Sequence, residues 1–266
     1  MIYDLQKASL MKRFSAFLLD LVILFMCFVG VMLLMSAITN YDGYFEKLEV
    51  RTNEIQERYN IFEIEKSSGV LFTDFQYMME DQKSLLPEAV LVPYTLCTEE
   101  MNSDPETIKL YETITNLSLV ILSVSLMICF VILEFLIPLF LKNGQTVGKK
   151  IFSIAVMRKD GIKLSPQLLF IRTILGKYTI GTMVPVVMLL MLIIGADPIV
   201  PLAVIVLMFL IQVILFLTNK TRPLIHDSLA STVVVDFQSQ MIFDSVEAKQ
   251  EYQLRLHKEA VDKAPY

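Results

Sequence analysis

Long apolar runs separated by charged stretches set the plan of this chain. Four runs, at residues 14–38, 116–141, 180–196 and 199–217, contain almost no charge. Crossing a bilayer as a helix takes about 20 apolar residues, so each is read as a membrane span. The third is short and carries Gly181 and Pro185. The first has an apolar core well beyond the roughly 7–15 residues of a cleavable signal sequence, and no A-x-A site follows it, so an uncleaved anchor is expected. Between the first two spans, residues 39–115 show helical periodicity over Tyr44–Ile64, with Phe45, Leu48, Ile55 and Tyr59 on one face; Pro87, Pro93 and Pro105 follow. A small helical subdomain is predicted there. Residues 142–179 read as structure too. The run IFSIAVMRKDGIKLS alternates and holds Asp160-Gly161, a hairpin signal. Ser165-Pro166 then starts a helix with a serine cap and proline in its first turn. Its Leu168, Leu169, Ile171, Ile174 and Leu175 oppose Arg172 and Lys177, as in a helix lying on an anionic membrane face. After the fourth span, the β-prone Thr232–Val235 is expected to pair with the 151–164 hairpin, and the tail from Ser245 to Ala264 reads as a solvated helix. There is no internal repeat, so an inverted-repeat transporter architecture has no support.

Composition agrees with a membrane protein: 55% hydrophobic and only 19% charged. The net charge of −5 hides a segregation that orients the chain. Residues 40–112 hold 16 Asp/Glu against six Lys/Arg, whereas 142–180 hold eight Lys/Arg and one acid, Asp160. Lys7, Lys12 and Arg13 precede the first span, and Lys220 and Arg222 follow the fourth. By the positive-inside rule, segment 1–13, the basic stretch 142–179 and segment 218–266 are cytoplasmic. The acidic loop 39–115 and the tight turn Gly195–Pro198 face outward. The predicted class is therefore all-α: four transmembrane helices, a cytoplasmic interfacial hairpin and helix, and an extracytoplasmic loop subdomain. Three cysteines make no disulfide framework. Cys27 and Cys129 read as small apolar groups in spans, and Cys97 as an unpaired thiol.

Candidate chemistry lies inside the spans. Asp20 follows Arg13 by seven residues; Glu134 precedes Lys142 by eight, and Gln212 precedes Lys220 by eight. At 1.5 Å rise per residue these side chains share a depth of roughly 10–12 Å from one face. Charge at that depth is costly and marks a site, so Asp20 and Glu134 are candidates for one proton- or cation-binding pair. Arg13 also reads as plain headgroup anchoring, Asp20 as an interhelical bond, and Gln212 as a neutral ligand or an interhelical hydrogen bond. GQTVGKK at 144–150 is no phosphate loop: three residues, not four, separate its glycines, and Lys150 stands where a hydroxyl belongs. It reads as a helix stop at Asn143-Gly144, with Lys149 and Lys150 at the headgroups. His226 and His257 are the only histidines, and no cysteine has ligand spacing, so neither a metal site, a cofactor nor enzyme chemistry has a sequence warrant.

Three blocks in order, KRFSAFLLDLVIL, NGQTVGKKIFSIAVMRKDG and HDSLASTVVVD, resemble the RDD family of bacterial membrane proteins, over about residues 7–237. The resemblance implies a signature of Arg13, Asp20 and Asp227, with Gly144, Gln145, Thr146, Gly148 and Lys149 as its second block. Two departures stand out: the long outer loop, and Ser231 where the last block has a second glycine. The resemblance implies a multi-pass protein of the bacterial cytoplasmic membrane with a transport-related role, including sodium/proton exchange. Arg13 and Asp227 are then expected to pair at the inner ends of the spans. The expected ligand is a cation or proton, and the surroundings are the lipid bilayer, with no nucleic acid. Four spans are few for a transport path, which points to a homo-oligomer or a membrane partner. The rival expectation is a non-transporting scaffold or accessory subunit that binds partners through its outer loop and tail. Transport predicts the Asp20 and Glu134 carboxylates within about 6 Å of each other on a wet cavity; a scaffold predicts both sealed in dry contacts.

Overall fold

The computed structural model describes residues 5–193, 197–219 and 221–262. Lys220, and Gly195 and Ala196 of the turn expected at Gly195–Pro198, lie outside the described residues. Among the described residues, four helices are long and apolar enough to cross a membrane: α1 (Leu10–Thr39), α7 (Pro105–Leu141), α9 (Pro166–Ile193) and α10 (Ile199–Thr218). Between α1 and α7 run α2 (Tyr41–Arg58), α3 (Ile61–Ser68), α4 (Phe72–Tyr77), α5 (Glu80–Lys83) and α6 (Glu88–Ser103). The remaining elements are α8 (Val147–Ile151), β1 (Ile154–Arg158), α11 (Ile225–Leu229), β2 (Thr232–Asp236) and α12 (Val246–Asp262). The chain divides into two compact units, one of residues 30–125 and one made from the segments on either side.

In the unit of residues 30–125, the acidic connector is the helical subdomain its periodicity predicted. Leu48 and Ile55 are buried as expected, whereas Phe45 is exposed. Ile55, Ile61, Phe72, Phe75, Val90, Tyr94, Cys97 and Met101 form its core. Cys97 is a free, fully buried thiol, and burial pushes its pKa up to about 11. Arg51 holds Asp104 through two hydrogen bonds of 2.6 and 3.1 Å, and Asp104 in turn accepts from Thr107 N at 2.9 Å. The Arg51 contact, aided by that cap, keeps the Asp104 carboxyl well below the usual range. One carboxylate thus stops α6 and starts α7.

In the other unit, β1 pairs antiparallel with β2, Ile154 opposite Asp236 and Arg158 opposite Thr232. Alternation sends Ile154 and Val156 to one face, with Ala8, Ala16 and Val234. Ala155 and Met157 go to the other, with Val233 and Val235. The turn at Asp160-Gly161 forms, with Gly161 at φ 85° and a bridge from Met157 to Lys163. β1's main partner is nonetheless β2, because only there do two apolar strands cover each other.

One boundary differs from expectation. The helix starting at Pro166 and the span expected from residue 180 are a single helix, α9. Its serine cap forms, Ser165 Oγ accepting from Leu168 N at 3.3 Å. The basic residues that suggested a headgroup-facing surface turn inward: Arg172 is 4% exposed and bonded to Asp227, and Lys177 is paired with Glu134. With its charges satisfied inside the protein, the helix has no reason to break at 179.

Two of the spans contain stretches of π-helix, Val131–Leu136 in α7 and Ile171–Met183 in α9. Each stretch ends two residues before a proline, Pro138 and Pro185. Proline lacks the N–H that residue i−4 would accept and its ring crowds that carbonyl. The backbone relaxes by shifting to i→i+5 bonds, seen in Ile137 N to Ile132 O and Val184 N to Thr179 O.

Candidate functional site

Asp20 lies in α1, where its carboxylate meets the start of α8. Its Oδ2 accepts from Thr146 Oγ1 at 2.5 Å and its Oδ1 from Gly148 N at 2.8 Å. Thr146 is the N-cap of α8, its hydroxyl also accepting from Lys149 N. The approach requires glycine: a Cβ on Gly148 would sit 2.4 Å from Ala16 O. Gln145, buried, donates to Ile154 O at 2.8 Å and ties the turn to β1. Gly144, at φ 60°, would meet Val156 Cβ at 2.9 Å if it carried a side chain. The GQTVGKK block is therefore a clasp on Asp20. The helix stop expected at Asn143-Gly144 is there, but Lys149 turns away from the headgroup position expected for it.

Glu134 sits in the π stretch of α7. Pro138 removes the donor for the Glu134 carbonyl, which accepts instead from Thr173 Oγ1 of α9 at 3.1 Å. The Glu134 carboxylate accepts from Lys177 Nζ. Lys177 also stands 5.9 Å over the Phe130 ring.

Asp227, 2% exposed, lies in α11. Arg172 donates to its Oδ1 from Nε at 2.9 Å and from Nη2 at 2.7 Å, and Leu224 N donates to its Oδ2 at 3.3 Å. Burial works against ionisation of Asp227, but the Arg172 guanidinium outweighs it and holds the carboxyl well below the usual range. Arg13, the partner expected from the sequence, stands 3.9 Å from Asp227 Oδ2 and donates to Arg222 O at 3.4 Å. The expected Arg13–Asp227 pair exists, but the tight partner is Arg172. Two donors of the Arg172 guanidinium converge on one carboxylate oxygen, a contact that Arg13 cannot match across 3.9 Å. Gln212, offered as a neutral ligand, bonds backbone instead: Ile225 N donates to its Oε1 at 3.0 Å. Gly176 lets α11 pack on α9, since a Cβ there would meet His226 Cβ at 2.7 Å.

These groups border two cavities. A larger one, about 500 Å³, is lined by Asp20, Glu134, Lys177, Gln212 and His226 among apolar side chains. A smaller one, about 120 Å³, is lined by Arg13, Asp20, Lys149, Arg172, Lys177, His226 and Asp227. Asp20 and Glu134 thus face one cavity, but each carboxylate has its own internal donors. Burial drives the His226 pKa down to about 3, so the ring is neutral at neutral pH. Burial, with Arg172 close by, lowers Lys149 to about 8. Sequence reasoning missed Arg172, Lys177 and His226. Pro138 and Pro185, breaking the helical register inside spans, are a signal that their helices would not follow the regular period there.

Among the described residues, four helices long and apolar enough to cross a membrane, together with a cluster of four cations and three carboxylates on two cavities, define a helical membrane domain. The model of the RDD family matches residues 7–231, which include Arg13, Asp20 and Asp227, and the chain belongs to that family. Searches of the curated proteins and of the solved structures found no match to the chain.

Proposed function

We propose that this domain serves transport rather than catalysis, exchanging a cation for a proton across a bacterial cytoplasmic membrane with both termini cytoplasmic. The observation that carries this reading is the Glu134–Lys177 pair on the larger cavity. A carboxylate neutralised by a lysine is a two-state device. A cation entering the cavity competes with the Lys177 ammonium for Glu134, and the like charges of Lys149 and Arg172 nearby favour release of one proton from the cluster. One positive charge enters as one leaves, so the cluster stays balanced. Asp20 is a positioning residue in this scheme, since Thr146 and Gly148 hold both its oxygens. Four spans are few for a path, and we infer that copies of the chain or a membrane partner complete it.

The same saturation of Asp20 favours a second reading, a non-transporting scaffold whose buried charges fix helix packing. The deciding measurement is sodium-driven proton movement in vesicles containing the purified full chain. Exchange is expected in wild type and lost at least tenfold in Glu134→Gln, with a smaller loss in Asp20→Asn. Equal exchange in wild type and Glu134→Gln removes the site; no exchange in wild type leaves the scaffold.

A further inference from the structure

The smaller cavity has a charge imbalance that the exchange reading does not use. Its carboxylates are spent: Asp20 is held by Thr146 and Gly148, and Asp227 by Arg172 and Leu224 N. Lys177 is spent on Glu134. Two cations keep unused donors. Among the described residues, the Lys149 ammonium has no carboxylate within ion-pair distance and no side-chain hydrogen bond, although it is partly buried beside Arg172 and Lys177. Arg13 has five donors but, among the described residues, makes only two long contacts to one carbonyl, at 3.4 Å, and the 3.9 Å approach to Asp227. Retaining an unpaired ammonium beside two other cations is costly unless something neutralises it. The 120 Å³ cavity onto which Lys149 and Arg13 open holds several water molecules, and so a group of several heavy atoms. The wall contains both a point-charge ammonium and a guanidinium fork, the donors that phosphate oxygens accept.

We propose that the cavity between Lys149 and Arg13 binds a phosphate group, either free phosphate or the headgroup of an anionic lipid. The anion completes the neutralisation of a cluster holding one more cation than it has carboxylates. Lys149 faces Asp20 from α1, Glu134 from α7, Arg172 and Lys177 from α9, and Asp227 and the neutral His226 from α11. With Arg172 paired to Asp227 and Lys177 to Glu134, Lys149 is the variable charge. Its pKa near 8 means that affinity falls as pH rises through that value and that bound phosphate raises it again.

The test uses the full chain purified in neutral detergent and does not depend on transport. Inorganic phosphate is expected to raise the melting temperature of wild type by several degrees, with chloride at equal ionic strength giving much less. Lys149→Gln is expected to weaken phosphate at least tenfold and Lys149→Arg to retain it. In wild type, phosphate should also slow acylation of Lys149 by an amine reagent, a readout that survives if Lys149→Gln does not fold. Discs of phosphatidylcholine with and without phosphatidylglycerol separate the sources. Protection of Lys149 by phosphatidylglycerol that blocks free phosphate identifies a lipid site; competition-free phosphate binding identifies a soluble anion. Equal stabilisation of wild type and Lys149→Gln, equal effects of chloride and phosphate, or unprotected Lys149 in both phosphate and phosphatidylglycerol each overturns the proposal.

Discussion

The hydroxyl of Thr146 donates to Asp20 at 2.5 Å while accepting from Lys149 N, so one small side chain both clasps α1 and caps α8. Valine has the same shape without the hydroxyl. Thr146→Val leaves the half-buried Asp20 carboxylate short of a donor and α8 without its cap, at a cost of about 1–3 kcal/mol. Thr146→Ser keeps both bonds and should fall within about 1 kcal/mol of wild type, since it loses only a methyl. Thermal unfolding in detergent reads the difference; equal melting temperatures for the serine and valine variants would show that the clasp carries no weight. Part of this clasp was legible beforehand. Asp20 stood out because charge inside an apolar run is costly, and Gly144 as a helix stop after the second span. That the carboxylate's partners are Thr146 and Gly148 was not legible, since 126 and 128 residues separate the pairs and no local pattern encodes such a distance. Ser231 is similar: its φ of 49° after α11 explains why glycine belongs there, and only the backbone reveals that serine has taken the left-handed position.

At the scale of elements, the prolines inside spans do the shaping. Pro138 frees the Glu134 carbonyl, the π stretch forms, and Thr173 of α9 supplies the replacement donor. These events are one coupled unit and are testable as such. In wild type, Thr173→Val removes that donor and should cost about 1–2 kcal/mol. In a Pro138→Ala background residue 138 can donate to Glu134 again, and the same substitution should cost little. A double-mutant cycle on thermal unfolding is expected to give a coupling of about 1 kcal/mol; additive effects would separate the proline from the Thr173 bond. The π geometry also explains why Arg172 and Lys177 were misplaced by periodicity. A stretch bonded i→i+5 winds more loosely than 3.6 residues per turn, so a projection assuming that period puts both on a headgroup-facing surface. The four runs, the Asp160-Gly161 turn and the β-prone character of both strands were readable because each is a local pattern. The helix at 166 and the third span merged because their charges found partners, which is a tertiary event.

For the molecule as a whole, the net charge of −5 is a poor guide to its interior. The acids concentrate between α1 and α7, while the buried cluster has a cation to spare, and depth matching along the sequence found two of its carboxylates but none of their partners. The spare cation has a consequence for stability. Burial, reinforced by Arg172, lowers Lys149 to about 8, against about 10.5 in an unfolded chain. Below pH 8 both states hold the proton and the folded state bears the whole penalty. Between 8 and 10.5 the unfolded state binds more protons than the folded one, so stability must rise with pH across that window. The size is on the order of 1–3 kcal/mol, allowing for partial access to solvent. His226, near 3, adds nothing there, because it is neutral in both states above its unfolded value of 6.5. Unfolding of the full chain in phosphate-free buffer should therefore show a rise between pH 8 and 10.5 that Lys149→Met lacks. The variant should also be the more stable protein at pH 7, since it removes a charge with no partner. A wild type whose stability is flat or falling across that window would mean that Lys149 is already neutralised, and the unspent charge at the centre of this membrane domain would not exist.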